Sequence, residues 1–201
     1  GAAVALLGTP ARGQRRGGGG GMGGGGMGGG GSAVIDPPVG SPLLEPAEAP
    51  YSLDDSGAKV VNLEAKLATI KVNGADARLM TYNGAFPGPT IRVRKGQALK
   101  INFTNRLPDT GGTNLLGYPR NITNLHTHGF HVSPEPPADY VMYDLMPGES
   151  YPHEYDTGMQ EAGTLNFYHT HRHGVAAEQY WAGMVGALIV EDETPVLAPY
   201  E

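Results

Sequence analysis

The sequence contains no cysteine. That excludes disulfides, zinc–thiolate sites, thiol nucleophiles and any copper centre built on a thiolate, and it leaves the redox compartment open. Charge is also sparse. Charged residues make up 17% of the 201 positions, and 14 Lys+Arg against 20 Asp+Glu leave a formal net charge of -6. A nucleic-acid partner would need a basic face, so that class of function is set aside. No apolar run reaches the length of a membrane-spanning helix, and a membrane partner is not expected. The length suffices for one domain with a real core.

Seven histidines are present, and all lie between Asn124 and His173. The stretch opens with Asn-Leu-His-Thr-His-Gly-Phe-His (Asn124 to His131). It closes with Asn-Phe-Tyr-His-Thr-His-Arg-His-Gly (Asn166 to Gly174). On a β-strand, residues i and i+2 share a face. His126 and His128 therefore point one way, as do His169, His171 and His173. Two such strands side by side gather four or five imidazoles in one small space. Neutral imidazole suits copper, zinc, iron and nickel, so the pattern points to a metal site.

The chain before Asn124 reads as leader, linker and scaffold. Residues 1–16 carry a short apolar run followed by small residues, which reads as a secretory signal remnant; an ordinary Ala-rich terminus is the alternative. The expected location is periplasmic or secreted. Residues 17–57 are rich in glycine and then proline and read as a disordered linker. The fold is expected over 58–193, with an interdomain linker beginning at 194–201. Within it the patterning predicts strands over Val60–Val72, Arg78–Tyr82, Thr90–Arg94, Gln97–Asn105, Asn121–His128, Ser150–Tyr155, Gly163–His171 and Met184–Glu191. Turn signals such as Asn73-Gly74 and Lys95-Gly96 separate them. Val175–Trp181 has helical composition, and the nearly continuous apolar run Met184–Glu191 reads as a strand buried on both faces. Short strands at this spacing predict an all-β, antiparallel Greek-key sandwich.

Four motifs carry a resemblance: Tyr82 to Val93 (Tyr-Asn-Gly-Ala-Phe-Pro-Gly-Pro-Thr-Ile-Arg-Val), Asn124 to Gly129, Phe167 to His171, and Gly186 to Asp192. In order and spacing they resemble the first cupredoxin domain of multicopper oxidases, the group of laccases, cuprous oxidases and bilirubin oxidases. The resemblance implies a cupredoxin-like β-sandwich and copper as the cofactor. It also implies an oxidase that takes electrons one at a time from a phenol or metal ion and reduces O2 to water. In that family a type 1 copper feeds a trinuclear cluster of type 2 and type 3 ions held by eight histidines. By motif position, His126 binds the type 2 copper, His128 and His169 one type 3 copper, and His171 the other. Asp139 is the positional match for the acidic residue that relays protons, with Asp144 as competitor.

The remaining histidines read differently. His173 is taken as pocket-lining, His131 as solvent-facing or structural, and His153 as a surface residue. The type 1 site and the other four histidines are missing from this sequence. The resemblance therefore implies that the remaining cupredoxin domains, of the same chain or of a partner subunit, complete the site. The isolated chain is expected to be inactive as an oxidase. A copper storage or delivery module is the alternative reading, with a mononuclear zinc or copper hydrolase behind it.

Overall fold

A computed structural model describes Gly40 and residues 45–72, 74–109 and 111–192. The readings made for 1–16, for most of 17–57 and for 194–201 lie outside these residues. Two sheets face each other. The first contains β1 (Tyr51–Leu53), β2 (Lys59–Val72), β3 (Ala75–Tyr82), β5 (Leu99–Asn105) and β7 (Ser150–Tyr155). The second runs in the order β4 (Gly88–Val93), β9 (Val185–Val190), β8 (Thr164–His169), β6 (His126–His128). Among the described residues the one helix is short, α1 (Ala176–Trp181).

Period-2 alternation builds the core. Val61, Leu63 and Ala65 of β2 and Leu99, Ile101 and Phe103 of β5 point inward, while Asn62 and Asn102 stay at the surface. Ile91, Val93, Tyr168, Leu188 and Val190 answer them from the second sheet. Tyr82 joins the layers, its ring 6.0 Å from Phe103 and 5.0 Å from Tyr168. Burying such side chains contributes roughly 1.5–3 kcal/mol each, which drives the two faces together.

Four expectations need correction. The sandwich is not wholly antiparallel, because β2 pairs β5 and β4 pairs β9 in parallel. Composition cannot reveal this; it follows from which strands the long connections bring together. The ordered part also begins upstream of Ala58. β1 pairs with β2, Ala49 is buried, and Ala49 N–H donates to the Thr90 carbonyl (2.8 Å). A three-residue edge strand is too short to register as a pattern. The strand expected over Asn121–His128 is regular only from His126. Upstream of it, side chains take the backbone groups a ladder would have used: Asn105 Nδ2 donates to the Asn121 carbonyl (2.7 Å) and Gln179 Nε2 to that of Ile122 (2.8 Å). Finally, β9 is not buried on both faces but alternates buried and half-buried residues.

His153 is the clearest departure among the histidines. It is fully buried rather than at the surface. On β7 it shares parity with Tyr155, which also points into the core, so the alternation that placed the strand could have placed the side chain.

Candidate metal centre

β6 and β8 lie antiparallel at the edge of the second sheet, and their register places His126 opposite His169 and His128 opposite Phe167. The intervening Thr127 and Tyr168 point inward and are buried. Both histidines of the first pair therefore emerge on the outer face, as period 2 requires. His128 stacks on Phe167, ring centroids 4.4 Å apart. Gly129 ends β6 with a positive φ of 86°, and a side chain there would run into the Asn166 amide.

His126 sits at the centre of a four-ring cluster. Its centroid is 5.6 Å from His128, 5.2 Å from His169 and 5.0 Å from His171. His126, His128 and His169 each offer a ring nitrogen within 4.8 Å of the others. His169 Nε2 lies 3.4 Å from His128 Nδ1. Two imidazole nitrogens bound to one ion at about 2.0–2.1 Å are this far apart when they subtend roughly 110°. The donor set fits copper, and imidazole alone does not separate copper from zinc.

Neighbouring groups fix the tautomers. His126 Nδ1–H donates to Asp139 Oδ2 at 2.7 Å, and Thr127 N–H donates to Asp139 Oδ1 at 2.9 Å. His169 Nδ1–H donates to the Thr170 carbonyl at 2.6 Å. In both rings the lone pair is thus left on Nε2, the usual role of such an outer partner at a metal site. Burial favours the neutral Asp139 carboxyl, but the bonds from His126 and the Thr127 backbone outweigh it and hold the group below the usual carboxylate range. Burial pushes His169 below the ordinary imidazole value; the carbonyl bond opposes this, and the nearby imidazoles add to it. Both groups are therefore in the state a cation needs at neutral pH.

His171 lies past the end of β8, where a strand alone would not control it. The side chain of Asn124 does so instead. Its Oδ1 accepts from His171 N–H (2.7 Å), and its Nδ2 donates to the Val141 carbonyl (2.7 Å). Thr170 is buried beside it and donates to Gln179 Oε1 (2.8 Å). Asn124 opens the first histidine motif, but the sequence assigned no role to it or to Gln179; a buried amide opposite irregular backbone becomes visible only with the fold.

The other candidates fall outside the cluster. His173 packs edge-on against Tyr118, with centroids 5.7 Å apart. His131 is exposed, and its backbone is held by Gln160. Asp144 pairs with Arg172 (2.9 Å to Nη2), so of the two acidic candidates Asp139 is the one on a clustered histidine.

Residues 64–195 match the family model described as multicopper oxidase. An L-ascorbate oxidase of Nicotiana tabacum is 33% identical over 59% of this chain and 18% of its own length. Laccase-2 of Thanatephorus cucumeris is 31% identical over 67% of this chain and 21% of its own. Among solved structures, a multicopper oxidase from Campylobacter jejuni, described as a metallo-oxidase, is 25% identical with a TM-score of 0.63. That alignment covers 78% of this chain and 31% of the other. The chain thus spans about a fifth of the curated relatives and under a third of the solved one.

Proposed function

The chain belongs to the multicopper oxidase family, and from that premise we propose that it supplies the first half of a trinuclear copper site to an oxidase that reduces O2 to water. The observation that carries the reading is the convergence of four imidazoles, three on one sheet face and His171 just past the end of β8, with the lone pairs of His126 and His169 on Nε2. His126 serves the type 2 ion, His128 and His169 share one type 3 ion, and His171 serves the other. Copper, when bound there, supplies the one-electron redox steps and the affinity for oxygen. The protein's own residues do the rest. β6 and β8 hold three of the rings at fixed spacing, and Asn124 holds the fourth. Asp139 orients His126 and, as an ionised carboxylate one hydrogen bond from the cluster, accepts and passes protons that O2 reduction consumes.

The outer face also bears on what surrounds the site. Beyond the histidines it continues through Leu165, Phe167, Val185, Ala187 and Ile189, with Leu165 75% exposed. An apolar strip continuous with a half-complete ligand set is what a covering domain would bury. The remaining cupredoxin domains, of the same chain or of a partner subunit, fit that role and bring the type 1 copper that a cysteine-free sequence cannot hold. The reducing substrate is a phenol or a metal ion, and the place of action is the periplasm or the exterior.

The test is O2 uptake by the protein expressed with its flanking coding sequence and loaded with copper. Four electrons drawn from a phenol per O2 consumed, without release of peroxide, is the expected result. A copper-loaded protein that consumes no O2 with any phenol or metal ion would favour the storage or delivery reading instead.

A further inference from the structure

The His126–Asp139 pair joins the first residue of β6 to a segment of irregular backbone around Asp139 that no sheet ladder fixes. A second set of hydrogen bonds, behind the metal face, connects the same segments. Leu125 N–H donates to Tyr143 Oη at 3.1 Å. Tyr143 Oη lies 2.9 Å from His153 Nε2, and His153 Nδ1 lies 2.8 Å from the Ala138 carbonyl oxygen. A carbonyl only accepts, so His153 carries its proton on Nδ1 and Nε2 accepts from the tyrosine hydroxyl. Each group in the relay then has its partner, in a single tautomer.

The ends of this relay lie next to the working residues. Leu125 precedes His126, and Ala138 precedes Asp139. With the outer bond between His126 and Asp139, the relay closes a ring of contacts that passes from the core to the metal face and back. β7 anchors it, since Glu154 N–H also donates to the Pro137 carbonyl (3.2 Å). Aromatic packing immobilises it: His153 lies parallel to Tyr155 (5.6 Å, 6°), and Tyr143 stacks on Tyr151 (4.3 Å, 13°). An apolar ring at position 153 would fill the same space. A buried imidazole with both nitrogens engaged does what an apolar ring could not, because it ties two loops at a fixed separation.

We infer that Tyr143 and His153 are positioning residues for the metal centre, setting the distance and angle at which Asp139 meets His126 and thereby keeping the His126 lone pair on Nε2. Burial keeps His153 neutral, which the relay requires. The inference rests on the proposed copper-site reading for its purpose, but its geometry can be read without metal.

The test uses the whole chain with 15N-labelled histidine, as wild type, Tyr143→Phe, His153→Phe and, as control, Tyr82→Phe, whose buried hydroxyl has no hydrogen-bond partner. Two readouts are taken: the ring tautomer of His126 without metal, and Cu(II) affinity by titration. Tyr143→Phe should fold, turn the single His126 tautomer into a mixture, and weaken Cu(II) binding about 10-fold or more; Tyr82→Phe should change neither. If His153→Phe does not fold, Tyr143→Phe decides alone. A folded Tyr143→Phe with the wild-type tautomer and affinity overturns the inference and leaves the copper reading standing. A wild type that takes no Cu(II) while the tautomer still shifts in Tyr143→Phe overturns the copper reading and upholds the positioning role.

Discussion

Asp139→Asn is nearly isosteric, and the structure says why it should nonetheless disable the site. The carboxylate accepts two hydrogen bonds, one on each oxygen, from His126 Nδ1 and Thr127 N–H. An amide offers one oxygen and one NH2 group. If the oxygen faces Thr127, the NH2 faces His126 Nδ1 and forces the proton onto Nε2, the nitrogen an ion would use. If the oxygen faces His126, two donors meet at Thr127, and a buried N–H is left unpaired at a cost of about 1–3 kcal/mol. The side chains of His126 and Asp139 are only 22% and 11% exposed, so water relieves neither conflict. Loss of such a partner lowers metal affinity roughly 10- to 100-fold, about 1.4–2.8 kcal/mol. Calorimetric titration of the chain with Cu(II) measures this directly. A variant that folds and binds Cu(II) as tightly as wild type would refute the reasoning, because the tautomer of His126 would then not depend on the carboxylate.

Other consequences can be checked alongside. Gly186→Ala would push a methyl group into the ring of Tyr168, which is fully buried and whose hydroxyl donates to the Pro89 carbonyl (2.6 Å). It should lower the unfolding free energy by at least about 2 kcal/mol in urea, and an unchanged midpoint would contradict the packing described. His153, held by burial below the ordinary imidazole value, titrates at higher pH in the unfolded chain than in the fold. Its contribution to stability is therefore complete above about pH 6.5 and is lost as pH falls through the folded value. His169, depressed for the same first cause, adds to the same limb. Urea unfolding at about pH 7.5 and about pH 5.5 should show a smaller acid loss for His153→Phe than for wild type. An equal loss would place the titration elsewhere. The chain alone, loaded with copper, should not oxidise phenols, since no cysteine is present to hold a type 1 ion; steady turnover would overturn that expectation.

How far the sequence revealed the structure depended on whether a feature was local. Strand β7 is observed over the residues expected, and β5 lies within the expected Gln97–Asn105 with Leu99, Ile101 and Phe103 on its inner face, because period 2 is written in neighbouring residues. The same period explains why His126 and His128 share a face. That His126 faces His169 is a matter of register between distant strands, which the motifs suggested and only the ladder fixes. The parallel pairing of β2 with β5 and of β4 with β9 left no local trace. His153 was misread because a polar residue was assumed to face water, although its parity with Tyr155 pointed inward. Asn124, Asn105 and Gln179 were missed for a related reason: their partners are backbone groups of irregular segments, whose unmet hydrogen bonds cannot be anticipated before the fold is known.

The most direct test of the account is copper stoichiometry in the chain carrying His126→Ala together with His169→Ala. These two rings face each other across β6 and β8, and the double change removes the hub of the cluster and half of the His128–His169 pair. Cu(II) titration followed by electron paramagnetic resonance should show nitrogen-ligated copper in the wild type and none tightly bound in the double variant. Unchanged stoichiometry with an unchanged nitrogen signal would mean that copper sits elsewhere, and the four-histidine centre would have to be abandoned.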